Sequence, residues 1–417
     1  MAPVFTLSLL LTQLVVILAV AHVFGRATRA IGQPRVVGEM LAGLALGPSV
    51  LGLAAPGTMR VLFPQDRMVA LATLGQFGVI LFMFVVGLRL DLSLLKGRVR
   101  RAVLISHASI FVPFALGAFV GSWLYPGLAG AGVAPLPFVL FCGAAMSVTA
   151  FPVLARILEE RGLTGTPLGS LAIACAAVDD VTAWCLLAGV VAIARPGGTL
   201  LPLGLTLFGA AAYGIFAATI GRRLLLRVRL WHQRGEPSFG AVDSTIIGTA
   251  VLIAFASALS TELLGVHPLF GAFLAGAIVP REGQLASTLA DKIGSLVEAA
   301  FLPVFFVLTG LQTEVGLVTN AGLWGIFFVL LAAAVVGKLG GSAGAARVMG
   351  IPWNEALALG VLMNTRGLME LVILNVGLEI AVISRELFTM MVLVAVITTL
   401  MTSPLLAVVL RTDSSRS

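Results

Sequence analysis

Long runs of apolar residues follow one another along almost the whole chain, separated by short segments that carry Arg, Lys, Pro and Gly. A membrane core of about 30 Å needs about 20 apolar residues per helix, and each run has about that length. The runs lack the period-two alternation of outer-membrane barrel strands, so they predict an all-α integral membrane protein. About thirteen transmembrane helices are expected, at 6–25, 35–53, 69–89, 102–125, 136–158, 168–194, 201–222, 242–260, 263–281, 297–316, 320–346, 355–378 and 387–410.

Composition excludes a water-soluble globular fold. Of the 417 residues, 59% are hydrophobic and 11% are charged, whereas an ordinary soluble domain has about 25% charged residues. The three cysteines, Cys142, Cys175 and Cys185, all fall inside predicted helices. Their spacing indicates neither a disulfide framework nor a cysteine metal site.

The basic residues indicate how the chain crosses the membrane. With the amino terminus outside, predicted outward segments hold only Arg60, Arg67, Arg195 and Arg385, and the other edge cations, including the cluster at 222–234, fall on the cytoplasmic side. This asymmetry is the positive-inside pattern of a multi-pass protein in a cell membrane, so the carboxyl end is predicted to be cytoplasmic. The net charge of +7 therefore reports topology in membrane lipid. Nucleic-acid binding is not expected, because aromatic residues are not interleaved with the basic ones.

Weak internal repeats suggest that the chain has two related halves. Residues 78–88 (GVILFMFVVGL) resemble 301–311 (FLPVFFVLTGL), and 38–47 (GEMLAGLALG) faintly resemble 271–280 (GAFLAGAIVP). An odd number of intervening spans would place the copies in opposite orientations, which is the inverted-repeat arrangement of secondary transporters. Spans one to six and eight to thirteen are the expected repeats.

Two corresponding spans carry polar interruptions near the predicted membrane centre. The fifth span contains Pro152 after two hydroxyl residues, and the twelfth contains the quartet at 364–367. Proline removes a backbone donor, glycine loosens a helix, and unwound backbone in a membrane must lie beside protein or a water cavity. A single interruption could be a simple proline kink, but a matched pair favours a transport site. The residues expected to line it are Ser147, Thr149, Asn364, Thr365, Arg366 and Glu370.

Two adjacent carboxylates, Asp179 and Asp180, lie at the centre of the sixth predicted span. Each costs about 2.5–3.5 kcal/mol in the membrane on insertion scales, so the pair needs a partner or a use. Neighbouring helical residues point about 100° apart, so one carboxylate can face a cavity while the other faces a helix. Glu370, one turn after Arg366, can neutralise that arginine, which leaves Lys338 as the expected charge partner of the aspartates.

This set of groups predicts competition between a cation and protons. Alkali cations prefer oxygen ligands, and the predicted ligands of a transported Na⁺ or K⁺ are Asp180, Asp179 and Thr149. A carboxylate and a lysine that share a buried site can both exchange protons near neutral pH. One site that holds either a cation or protons performs antiport. No cofactor is expected, and no enzyme motif is found.

Several long strings resemble the monovalent cation:proton antiporter-2 family, the sodium/hydrogen exchanger domain, over essentially the whole chain. They are QPRVVGE at 33–39, LGPSVLG at 46–52, SVTAFPVLAR at 147–156, the aspartates at 179–180, HPLFGAF at 267–273 and MNTRGLME at 363–370. The resemblance implies a homodimer whose core, containing both broken helices, moves like an elevator against a fixed scaffold. It also implies that Asp180 is the principal cation and proton carboxylate, and that Asp179 with Lys338 is the arrangement of electrogenic members.

On this resemblance the chain is expected to divide into alternating scaffold and core segments. They are scaffold and dimerisation helices at 1–100, core transport helices at 101–195, a linker helix and cytoplasmic loop at 196–240, scaffold helices at 241–316, core transport helices at 317–410 and a short cytoplasmic tail at 411–417.

Exchange of Na⁺ (or Li⁺) for protons is the favoured function. A K⁺/H⁺ antiporter or a proton-driven organic-cation exporter stays open, because Na⁺ and K⁺ use the same ligand types. An intramembrane aspartyl protease would need its carboxylates on separate helices, and a channel would need a continuous polar pore. A purely structural buried ion pair would need only one aspartate.

Overall fold

The computed structural model describes residues 3–64, 67–89, 99–163, 166–194, 208–209, 211–223, 244–264, 267–280 and 285–414. These residues are almost entirely helical, and the only β-type pairing found among them is one isolated bridge between Ala129 and Ile383. The helices are α1 (Pro3–Ala30), α2 (Arg35–Leu46), α3 (Leu51–Ala54), α4 (Pro56–Leu62), α5 (Val69–Arg89), α6 (Val99–Leu128), α7 (Pro135–Ser147), α8 (Phe151–Glu160), α9 (Pro167–Ala194), α10 (Ala211–Gly221), α11 (Ser244–Leu263), α12 (Pro268–Ala277), α13 (Leu285–Leu296), α14 (Leu302–Gln312), α15 (Ala321–Val335), α16 (Gly341–Val348), α17 (Trp353–Met363), α18 (Leu368–Glu379) and α19 (Arg385–Ser414).

Two of the spans contain a π-helical turn that joins consecutive helices. Val297–Phe301 connects α13 to α14, and Val336–Gly340 connects α15 to α16. A π turn holds one residue more than an α turn and is frequent at functional sites. The second π turn contains Lys338, so the only lysine predicted at mid-membrane lies on locally altered helix geometry.

Nine helical segments in the described part of the chain are long and apolar enough to cross a membrane. They agree with most of the expected spans, and the all-α membrane fold is confirmed. The fifth and twelfth expected spans are each built from two shorter helices, and the ninth contains the short helix α12. The seventh, at 201–222, lies partly outside the described residues, as does most of the expected linker at 196–240. The count of thirteen stays a prediction.

The chain forms two compact units. The first comprises 1–65, 92–196 and 306–417, and the second comprises 66–91 and 197–305. All the predicted site residues belong to the first unit. The expected division into scaffold and core segments uses other boundaries and stays a prediction.

Close glycine crossings occur at matching positions of the two repeats. In the first unit, Gly43 of α2 lies so close to α14 that a Cβ would approach the Phe306 carbonyl oxygen to 2.2 Å, and Gly310 faces Gly43 in return. In the second unit, Gly276 of α12 makes the same approach to the Phe84 carbonyl oxygen of α5, at 2.1 Å, opposite Gly87. The repeat strings align these glycines, so the two crossings are equivalent and support the inverted repeat.

A methyl group at either crossing should destabilise the fold. We expect Gly43→Ala to lower the free energy of unfolding by roughly 1–3 kcal/mol, because the helices cannot separate without loss of packing. Gly325→Ala is the matched control, since nothing lies within 4 Å of its Cβ position. Thermal melting in detergent measures both variants, and equal melting temperatures would contradict the close crossing.

Candidate cation-binding site

The two interrupted helices meet at their breaks. Helix α7 ends at Ser147 and α8 begins at Phe151, while α17 ends at Met363 and α18 begins at Leu368. The N–H of Ala150 donates to the Thr365 carbonyl at 2.9 Å, and Thr149 Oγ1 lies 2.9 Å from the Met363 carbonyl oxygen. Each break therefore satisfies backbone groups of the other where the membrane offers no water.

Glycine is required in the second break. Gly367 has φ of 154°, a conformation that L side chains rarely adopt, and a Cβ there would meet Val153 Cγ2 of α8 at 3.0 Å. The residue therefore permits both the turn into α18 and the close approach of the first break.

Arg366 connects the second break to the buried carboxyl end of α7. Its guanidinium donates to the carbonyls of Ala145 and Met146, at 3.2 and 2.6 Å. The last four carbonyls of a helix have no partner within the helix and carry its negative dipole end. Arg366 is fully buried and also pairs with Glu370 at 2.7 Å. The predicted pairing within one helical turn is thus present, and the same arginine caps a second helix.

Asp179 lies at the centre of a buried hydrogen-bond network. Its Oδ2 accepts from Lys338 Nζ and from Thr149 Oγ1, both at 2.7 Å. Its Oδ1 accepts a hydrogen bond from Ser106 Oγ of α6. Lys338 Nζ also donates to Ser109 Oγ at 3.0 Å. Asp179, Lys338 and both serines are fully buried, and both members of the charge pair are hydrogen-bonded to protein hydroxyls.

Asp180 has the opposite environment. It is 1% exposed, and neither of its carboxylate oxygens has a hydrogen-bond partner among the described residues. The backbone N–H of Phe151, at the start of α8, lies near this carboxylate. An ionised carboxylate without a partner is costly in a membrane. Two adjacent residues of α9 therefore differ: both oxygens of Asp179 accept hydrogen bonds, whereas both oxygens of Asp180 are available as ligands.

The remaining predicted residues differ in where their polar atoms point. Ser147 Oγ donates back to the Ala144 carbonyl at 2.8 Å, and Thr365 Oγ1 lies 3.4 Å from Thr402 Oγ1. Asn364 Oδ1 is buried without a partner in the described part of the chain. The structure thus brings Asp179, Thr149 and Lys338 into direct contact, while the roles of Ser147, Thr365 and Asn364 stay predictions.

A resident metal centre is not found among the described residues, where no cluster of three or more His, Cys, Asp and Glu side chains occurs.

Sequence reasoning missed Ser106 and Ser109. Their signal was two hydroxyl residues three positions apart inside an apolar run, which places both on one face of α6. Small hydroxyl residues are common at helix contacts in membranes, so the signal could not be separated from ordinary packing.

The comparison with known families decides the identity. The family described as sodium/hydrogen exchanger, transmembrane, matches residues 14–412. The chain belongs to this family. Its members are transporters rather than enzymes, which agrees with the resemblance stated from the sequence.

Individual relatives cover nearly the whole chain. The Na(+)/H(+) antiporter NhaS4 of Synechocystis sp. is 43% identical over 402 residues, which are 96% of this chain and 97% of that protein. Cation/H(+) antiporter 17 of Arabidopsis thaliana is 38% identical over 98% of this chain and 49% of its own length. K(+)/H(+) antiporter 1 of Saccharomyces cerevisiae is 32% identical over 96% of this chain and 46% of its own. The chain therefore spans about half the length of the plant and yeast relatives.

A solved structure confirms the fold. The sodium proton antiporter MjNhaP1 from Methanocaldococcus jannaschii matches with a TM-score of 0.65 at 17% identity, covering 98% of this chain and 97% of that one. At this identity the likeness concerns the fold alone.

Removing one partner of the Arg366 and Glu370 pair should be costly. We expect Glu370→Gln to lower the free energy of unfolding by about 3–5 kcal/mol, because a buried guanidinium then loses its counter-charge. Thermal melting in detergent measures the loss. Glu314→Gln is the control, since Glu314 is only partly buried, and equal melting of the two variants would contradict a structural role for the pair.

Proposed function

We propose that this protein is a secondary antiporter that exchanges Na⁺ for protons across a cell membrane. The observation that carries the proposal is the buried Asp180 carboxylate, which has no hydrogen-bond partner among the described residues and lies next to the saturated pair of Asp179 and Lys338. Such a carboxylate is stabilised by a proton or by a small cation, and the two compete. The name of the Synechocystis relative supports Na⁺ as the cation.

The proposed exchange proceeds through replacement of Lys338. A cation that binds Asp180 gains a second carboxylate ligand if Asp179 releases the lysine ammonium, and Thr149 Oγ1 already contacts Asp179 at 2.7 Å. On the opposite side of the membrane, the cation leaves and Asp180 takes up a proton. The ammonium of Lys338 then pairs with Asp179 again. If Lys338 loses its proton when it is released, each cycle moves net charge, and the exchange is electrogenic.

The proposal includes movement and assembly. The crossed breaks and the two equivalent glycine crossings support an inverted-repeat transporter in which a core carrying both breaks moves like an elevator. We infer a homodimer in membrane lipid, with the amino terminus outside and the carboxyl terminus cytoplasmic. The positive-inside asymmetry of the sequence supports this orientation.

A second candidate cation is K⁺. The yeast relative is named as a K(+)/H(+) antiporter and matches 96% of this chain, and the ligand atoms of the site suit either ion. An organic cation is the remaining alternative for a proton-driven carrier.

Removal of the Asp180 charge should abolish exchange. We expect proteoliposomes with an inside-acid pH gradient to show dye dequenching when Na⁺ or Li⁺ is added, and none for Asp180→Asn, because the amide cannot exchange a proton and has no negative charge to balance a cation. Asp291→Asn is the matched control, since Asp291 is an exposed carboxylate of the other unit. A response to K⁺ alone would select the second candidate, and full activity of Asp180→Asn would refute the mechanism.

The protein should respond to membrane potential through Lys338. We expect the wild-type rate to change when a K⁺ diffusion potential is set with valinomycin in Na⁺-driven assays. Lys338→Ala should keep slower exchange that no longer depends on the potential, because the third charge at the site is gone. A wild-type rate that is independent of potential would show that exchange is electroneutral.

A further inference from the structure

Two serines of α6 form hydrogen bonds to the ion pair. Ser106 Oγ donates to Asp179 Oδ1, while Ser109 Oγ accepts from Lys338 Nζ at 3.0 Å. Both serines are 0% exposed and lie one helical turn apart. Among the described residues of α6, these two hydroxyls contact the pair: Ser106 bonds to the carboxylate and Ser109 bonds to the ammonium.

We propose that Ser106 and Ser109 are positioning residues that set, in opposite directions, how strongly Lys338 competes with the transported cation for Asp179. The inference rests on the proposed function, because it concerns the exchange of partners at that carboxylate. Neither serine needs to touch the cation.

The opposite directions follow from hydrogen-bond chemistry. A hydroxyl that donates to Asp179 stabilises the carboxylate anion, which is the form that binds a cation. A hydroxyl that accepts from Lys338 stabilises the ammonium, which is the form that excludes the cation. A hydroxyl can both donate and accept. When Lys338 has left Asp179 and lost its proton, Ser109 can therefore donate to the neutral amine and remain hydrogen-bonded to it.

Other titratable groups surround the ion pair, and substitution of Ser106 or Ser109 would leave them in place. Helix α9 contributes Asp180 and Cys175, the second break contributes Arg366, and α18 contributes Glu370; all four interact electrostatically with one or both members of the pair. The remaining titratable groups of the elements packed on α6 are Cys142 of α7, Cys185 of α9 and Arg347 of α16. Among the described residues, no hydrogen bond joins any of these groups to either serine.

The test compares Ser106→Ala with Ser109→Ala in Na⁺-driven proteoliposome assays over a pH series. For Ser109→Ala we expect the apparent KM for Na⁺ to fall about tenfold and the pH profile to move about one unit to lower pH, because the ammonium loses an acceptor. For Ser106→Ala we expect a rise in KM of about the same size and a move to higher pH. Maximal rates should stay near that of the wild type.

The matched control is Ser342→Ala, which removes a buried hydroxyl of α16 that has no hydrogen-bond partner among the described residues. It should leave KM and the pH profile unchanged. Size-exclusion chromatography in detergent checks that each variant is folded. If an alanine variant misfolds, the corresponding Ser→Cys variant retains volume with a weaker donor and acceptor, and a smaller shift of the same sign is expected.

Shifts of both serine variants in one direction, or no shift in either, would overturn the inference while the wild type remains an active antiporter. Absence of cation-dependent proton movement in the wild type would instead refute the proposed function, so the two failures are distinguishable.

Discussion

The contact between Lys338 and Asp179 is the interaction on which the centre of the molecule depends. It places opposite charges 2.7 Å apart where both are fully buried. The desolvation cost of two buried ions is recovered only if their geometry is good and the remaining polar atoms are also bonded. Ser106, Ser109 and Thr149 supply those bonds, so three helical elements and the break between α7 and α8 are fixed around one charge pair.

The backbone at the two helix breaks is subject to the same requirement that buried polar atoms be hydrogen-bonded. An interrupted helix exposes carbonyls and N–H groups that the bilayer cannot satisfy. Here each break bonds to the other, Arg366 caps α7, and Thr399 Oγ1 donates to the Arg366 carbonyl at 2.6 Å. This leaves the Asp180 carboxylate as a polar group of the site with both oxygens unbonded among the described residues. Asn364 Oδ1, Arg366 Nε and Glu370 Oε2 also lack a partner among the described residues, but of these side chains and Asp180, Asp180 alone is a carboxylate with every polar atom unbonded.

Much of this arrangement could be predicted from the sequence because membrane burial makes charge rare and therefore informative. The breaks at 147–152 and 364–367, the pairing of Arg366 with Glu370 and that of Lys338 with Asp179 are all present as expected. Different environments for Asp179 and Asp180 were expected, but the serine partners of the ion pair could not be predicted, because they depend on which side of α9 faces α6. Ser147 shows the same limit, since its hydroxyl bonds within α7. Periodicity places a residue on a face, but tertiary packing decides its partner.

The glycine crossings bear on how such a chain could have originated. Gly43 and Gly87 belong to the first repeat, whereas their partners Gly310 and Gly276 belong to the second. Neither repeat can complete a crossing with its own helices, since each crossing takes one helix from each. A half-length ancestor could have buried these glycines only against a second copy inserted upside down in the same membrane. Gene duplication would then have joined in one chain two halves that were already folding partners.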